Sequence, residues 1–211
     1  MLWNKDPCTK VLLCVYSSFI SSSMFGTREA SSAAHQAAAL RCQHRLANAG
    51  ACAGLQRFSR MMDLTWITPR LALGGGIWID ANMAELVRHG VTHVIDMQTE
   101  FDDTPLAVPY GVQVLWNPAD DDFQLKPPEL FQRGVEFALA ALDQSDARLY
   151  IHCAAGVHRA PMMTLAVLRA MGHSLADAAD LLVARRPVVD LADVYVRSVE
   201  NFIREYQPAG N

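Results

Sequence analysis

Residues 152–159 read His152-Cys153-Ala154-Ala155-Gly156-Val157-His158-Arg159. The stretch is entered from a short apolar run, Arg148 to His152, and left through a helical one, Pro161 to Met171. Strand, tight loop, helix is the local order this predicts. Cys153 and Arg159 are separated by five residues, and none of the other cysteines has an arginine at that spacing. From one short loop, the two side chains can face one phosphate. A nest of backbone N–H groups at a helix start binds anions, and Gly156 lets the backbone curl close to them. Cys153 is the candidate nucleophile, because a thiolate in such a nest is stabilised by the amides and by the helix dipole. Arg159 is the candidate clamp, because a planar guanidinium holds two phosphate oxygens at once and an ammonium does not.

Outward from this loop the chain alternates between strand and helix patterns. Leu64 to Thr68 and Arg70 to Leu73 read as short strands, broken by Pro69 and stopped by Gly74-Gly75-Gly76. Val91 to Met97 and Gly111 to Trp116 read as two more strands. Helices are expected over Asn82 to His89, from Pro127-Pro128 through Leu142, from Ser174 through Ala184, and over Asp190 to Tyr206. Ser174 is the N-cap candidate, and Pro187 stops the helix it begins. This alternation predicts an α/β fold with a mostly parallel central sheet flanked by helices. Ligands of such sheets bind beyond the carboxyl ends of the strands, which is where Cys153 falls.

Charge and cysteine usage divide the 211-residue chain. Residues 1–60 hold seven Lys/Arg and two acids, whereas the remainder holds 11 basic and 20 acidic side chains. The acidic part has no electrostatic footprint for nucleic acid or an anionic membrane, so an anionic ligand must be drawn by a local field. Cys8, Cys14, Cys42 and Cys52 lie in the basic segment, which is rich in Ser and Ala. Ala30 to Ala47 reads as a helix candidate there. Three readings of residues 1–60 stay open: a disordered extension, a targeting sequence, or residues translated upstream of the true start near Met61-Met62. Val11 to Ile20 is too short to span a membrane, and Asp6 argues against a signal peptide. The organised region is therefore 61–211. With no paired metal-ligand spacing a zinc site is not expected, and a working thiolate needs a reducing compartment, which points to the cytoplasm.

A second element of chemistry lies upstream. Asn117-Pro118-Ala119-Asp120-Asp121-Asp122-Phe123 follows the strand ending at Trp116. One of the three aspartates can donate the proton that a leaving oxygen needs and then serve as base for the attacking water. The other two are solvated turn residues. His152 is a candidate to orient the loop through its ring or a plain strand-end histidine. His158 reads as an exposed loop filler.

The loop, the upstream aspartate and their order resemble the cysteine-based dual-specificity protein phosphatases, within the tyrosine phosphatase superfamily. Gly74-Gly75, the stretch Gly90-Val91-Thr92-His93-Val94-Ile95-Asp96 and the Phe131 helix fit the same family, so the resemblance covers roughly residues 62–206. It implies a tyrosine-phosphatase-like fold. It places catalysis on Cys153, Arg159 and one aspartate: Asp121, with Asp120 and Asp122 as alternatives. The phosphate would be bound by the loop amides of Ala154, Ala155, Gly156, Val157, His158 and Arg159. The implied activity is hydrolysis of phosphotyrosine, and of phosphoserine and phosphothreonine, on a phosphorylated protein or other phosphomonoester, through a phosphocysteine and without metal or organic cofactor. The family usually carries Ser or Thr after the arginine, where this chain has Ala160. That hydroxyl is thought to help the sulfur leave, so a slower second step is implied. Two other readings stand beside this one: a rhodanese-type sulfurtransferase, and a catalytically weak phosphoprotein-binding pseudophosphatase motivated by Ala160.

Overall fold

The structure is a computed structural model and describes residues 62–206. The readings made for residues 1–60, including the helix over Ala30 to Ala47 and the four cysteines there, lie outside the described residues. Five strands form one sheet: β1 (Leu64–Trp66), β2 (Leu71–Gly74), β3 (His93–Asp96), β4 (Gln113–Trp116) and β5 (Leu149–His152). Their spatial order is β1-β2-β5-β3-β4. Only β1 runs antiparallel, paired with β2; every other pairing is parallel. β5 thus lies at the centre, with Gly74 of β2 and Asp96 of β3 in register with His152. The loop that begins with Cys153 leaves the carboxyl end of the central strand.

The helices are α1 (Asp80–Arg88), α2 (Thr104–Ala107), α3 (Pro128–Asp143), α4 (Arg159–Ala170), α5 (Leu175–Arg185) and α6 (Asp193–Glu205). α1 starts two residues ahead of the Asn82 that the pattern predicts. α2, and the 3-10 turn Val108–Tyr110 after it, fall where the sequence pattern predicts no element. They are too short to display a helical period, and Pro105 and Pro109 read as breakers although each sits at a helix start, where proline is tolerated. α4 begins at Arg159, two residues before the expected Pro161, so Arg159 belongs to the first helical turn. Ser174 caps α5 as expected, its hydroxyl accepting the Asp177 N–H at 3.1 Å.

The pleat sorts the side chains onto two faces. Leu71, Leu73, Ile95, Met97, Leu149, Ile151 and Cys153 point into the larger core, with Phe131, Val135, Met163, Val167, Tyr195 and Phe202 of α3, α4 and α6. Ala72, Val94 and Tyr150 point to the other face, with Met83 and Leu86 of α1 and Ala107 of α2. The strands are covered on both sides, which is why they read as continuous apolar runs. Among the described residues no helix is long and apolar enough to cross a membrane.

Candidate active site

Four successive carbonyls of the loop are tied from outside. The Gly76 N–H donates to Ala154 O at 3.1 Å and the Asp190 N–H to Val157 O at 2.9 Å. Between them Arg186 donates from Nη2 to Ala155 O at 3.3 Å and from Nε to Gly156 O at 3.1 Å. A peptide unit whose oxygen points outward turns its N–H the other way. Among the described residues, no amide from Ala154 to Arg159 donates a backbone hydrogen bond. Gly156 takes φ +65°, and a Cβ there would lie 2.5 Å from the Gly74 backbone, so the curl requires glycine on two counts.

Arg186 was missed at the sequence level. It is buried, and its guanidinium also grips Asp63 through two 2.7 Å bonds. Its partners stand 123 and 31 residues away in sequence, so nothing local marked it. Arg186→Met is expected to leave two loop carbonyls unpaired and to cost about 3 kcal/mol. Calorimetry should read a melting midpoint lower by about 10 °C; an unchanged midpoint would contradict this role.

Cys153 is buried and belongs to the larger core. Arg159 is buried as well, and it is held by Glu100, a residue the sequence did not single out. Nη1 and Nη2 each lie 2.9 Å from a Glu100 oxygen. Burial works to raise the Glu100 carboxyl, but the guanidinium outweighs it and holds the carboxyl below its usual range. The same pairing outweighs burial and keeps Arg159 firmly cationic. Nη1 further donates to Ala119 O at 3.3 Å. Nε has no hydrogen-bond partner. The far edge of the guanidinium, Nε with the second hydrogen of Nη2, is therefore the part available to an anion.

Of the three candidate acids, Asp121 alone reaches the loop. Its Oδ2 lies 3.8 Å from Arg159 Nε and 3.1 Å from His158 Nδ1. Its Oδ1 accepts a hydrogen bond from the Tyr195 hydroxyl at 3.0 Å. Burial, with the Asp121 charge adding to it, pushes Tyr195 up to about 12, so the phenol keeps its proton to donate. Asp122 turns away to Lys126, and Asp120 is exposed. His158 is not the exposed filler expected: its side chain is 23% exposed and bridges Asp121 and Asp190.

Beneath the loop, His152 is fully buried and stacks on Tyr150. Its Nε2 lies 2.8 Å from Asp103 Oδ2 and 3.7 Å from Asp96 Oδ1. The three side chains offer ligand atoms within 4.8 Å of one another. Burial raises Asp96 to about 7, although the neighbouring imidazole opposes it, and raises Asp103 to about 8. Burial also lowers His152. A metal needs deprotonated ligands, whereas burial here favours the proton on both carboxyls. Both carboxyls have folded values above the ordinary 3.8, so the fold is favoured when they are protonated. That stability is fully present below 3.8 and is lost as pH rises through about 7 and 8. The His152 contribution has the opposite sign, being lost as pH falls below 6.5. Asp103→Asn is expected to flatten the decline in melting temperature between about pH 5 and pH 8; an unaltered slope would refute it.

The fold and the loop define a domain of the tyrosine-phosphatase type. Solved structures of similar shape include PTPMT1, with a TM-score of 0.61 at 22% identity over 67% of this chain and 94% of that one. Human DUSP28 gives a TM-score of 0.58 at 22% identity over 68% of this chain and 95% of that one. Residues 76–205 match the family model described as dual specificity phosphatase, catalytic domain, and the chain belongs to that family. Dual specificity protein phosphatase 26 of Bos taurus is 35% identical over 108 residues, 50% of each chain. Its Homo sapiens counterpart is 33% identical over 94 residues, 44% of each. The chain spans about half the length of the curated relatives it matches.

Proposed function

We propose that this chain is a cysteine-dependent protein phosphatase that hydrolyses phosphotyrosine, and phosphoserine and phosphothreonine as well, through a phosphocysteine. The observation that supports the reading is that Arg159 Nε, without a hydrogen-bond partner, lies 3.8 Å from Asp121 Oδ2 at the end of the short loop that Cys153 begins. The Cys153 thiolate attacks phosphorus as the ester P–O bond breaks, and Asp121 gives its proton to the departing oxygen. Water then attacks the phosphocysteine, Asp121 takes a proton from it, and the thiolate leaves. Arg159 and the loop amides balance the charge that spreads over the phosphoryl oxygens. None of these steps draws on a metal or cofactor. The chemistry requires a reduced thiol, so the cytoplasm is the compartment that fits it.

Phosphotyrosine, phosphothreonine and phosphoinositide substrates, tried on wild type and on Asp121→Ala, test this reading. The phosphoinositide arm is included because PTPMT1, one of the fold neighbours, has been crystallised with PI(5)P. This chain places no lysine inside its loop, which favours the protein substrates. Hydrolysis of phosphotyrosine, reduced about 100-fold or more by Asp121→Ala, is the expected result. Turnover of phosphoinositide alone would overturn it.

Ala160 is fully buried at the second position of α4. Ala160→Ser is expected to raise the steady-state rate and to shrink the burst of product that a slow second step leaves. Rapid-quench kinetics read both quantities, and no change in either would refute the assignment of a slow second step to Ala160.

A further inference from the structure

We propose that His158 is a positioning residue that seats Asp121 over the cysteine loop, and that phosphoserine and phosphothreonine are the substrates that depend on it. The inference rests on the phosphatase reading. Each oxygen of the Asp121 carboxyl has its own partner: Oδ1 the Tyr195 hydroxyl at 3.0 Å, Oδ2 the His158 ring at 3.1 Å. Two partners on opposite oxygens prevent the carboxyl from rotating, and either one alone leaves it a pivot. The other nitrogen of His158 lies 3.3 Å from Asp190 Oδ2. The ring nitrogen facing Asp121 can hold the carboxyl in either tautomer, as donor to a carboxylate or as acceptor from a carboxylic acid.

Phe123 makes the same assembly from a third direction. It takes φ +54°, in the left-handed region that costs a non-glycine residue about 1 kcal/mol. Its ring packs edge-on to His158 at 5.0 Å and stacks on Tyr195 at 5.7 Å, and its N–H donates to the Tyr195 hydroxyl at 3.0 Å. The strained turn that presents Asp121 is thus braced by the two residues that hold its carboxyl. His158 comes from the nucleophile loop itself, so it couples the acid's position to that of the thiolate. Asp190 completes the brace, its N–H being bound to Val157 of the same loop.

Such a brace matters unequally to different esters. A phenolate departs readily without a well-placed acid. A serine or threonine alkoxide is far more basic and needs the proton delivered as the bond breaks. A poorly seated Asp121 should therefore penalise alkyl phosphates first.

The test measures kcat/KM of the full chain on p-nitrophenyl phosphate and on a phosphothreonine peptide. His158→Ser is expected to lose about 30-fold on phosphothreonine and about threefold on the aryl ester. His158→Asn, whose amide N–H can replace the contact at Nδ1, should recover much of the difference. Asp190→Asn, away from the reacting atoms, should give a smaller loss with the same bias. Equal losses on both esters, or no recovery in His158→Asn, would overturn the positioning role. Wild type that turns over the aryl ester but not phosphothreonine would overturn the substrate assignment. Wild type that hydrolyses neither ester would instead bring down the phosphatase reading itself.

Discussion

Cys153→Ser is expected to abolish hydrolysis, lowering kcat by at least about four orders of magnitude. The substitution exchanges one atom at a buried position, so the fold and the loop should persist. The chemistry does not persist. The loop amides and the α4 dipole stabilise an anion, but a serine hydroxyl is far harder to ionise than a thiol, and Asp121 is committed to the leaving oxygen. Binding should survive, because the amides and the free edge of Arg159 remain. Inorganic phosphate should therefore still bind to the inactive variant. Mass spectrometry of quenched wild-type enzyme should find phosphate on Cys153, and Cys153→Ser should carry none. Residual turnover within tenfold of wild type would refute the phosphocysteine route.

Arg159→Lys is expected to lower kcat/KM by about three orders of magnitude, although the charge is kept. A guanidinium serves two partners in one plane. Its Nη1 and Nη2 hold Glu100 at 2.9 Å each, and its opposite edge is left for two phosphoryl oxygens. An ammonium has no second edge. The substituted side chain would be drawn either to Glu100 or to the phosphate, and the buried Glu100 side would lose its fork in both cases. Glu100→Gln should be milder, about tenfold, because it loosens the orientation of Arg159 without removing the clamp. The loss in Arg159→Lys should fall mainly on kcat, since the charge it answers grows toward the transition state. A loss confined to KM would show that Arg159 only attracts substrate.

The sequence made the loop readable because its parts are local. Cys153, Gly156 and Arg159 lie within seven residues, and the continuous apolar run before them and the helical run after them are local patterns too. The same locality explains the strand and helix boundaries, which the structure moves by only a few residues. α2 escaped notice because four residues carry no period. The residues alone narrow the acid to three neighbours, and the family resemblance puts the role on Asp121 with Asp120 and Asp122 as alternatives. Asp120, Asp121 and Asp122 are chemically identical, and only the strained turn at Phe123 decides which carboxyl faces His158 and Tyr195.

By itself, then, the chain determined a parallel α/β sheet, a cysteine loop at the end of a strand, and a short list of acids. The tertiary structure decided what holds them in place. Glu100 grips Arg159 across 59 residues, Tyr195 meets Asp121 across 74, and Arg186 meets Asp63 across 123. The buried group of Asp96, Asp103 and His152 likewise joins residues from β3, from the start of α2 and from β5. Periodicity and spacing report what one segment can do alone, because they follow from backbone geometry over a few residues. Charge partners across a sheet are set by packing, and a glutamate or arginine that will be buried and paired looks, in sequence, like any solvated one.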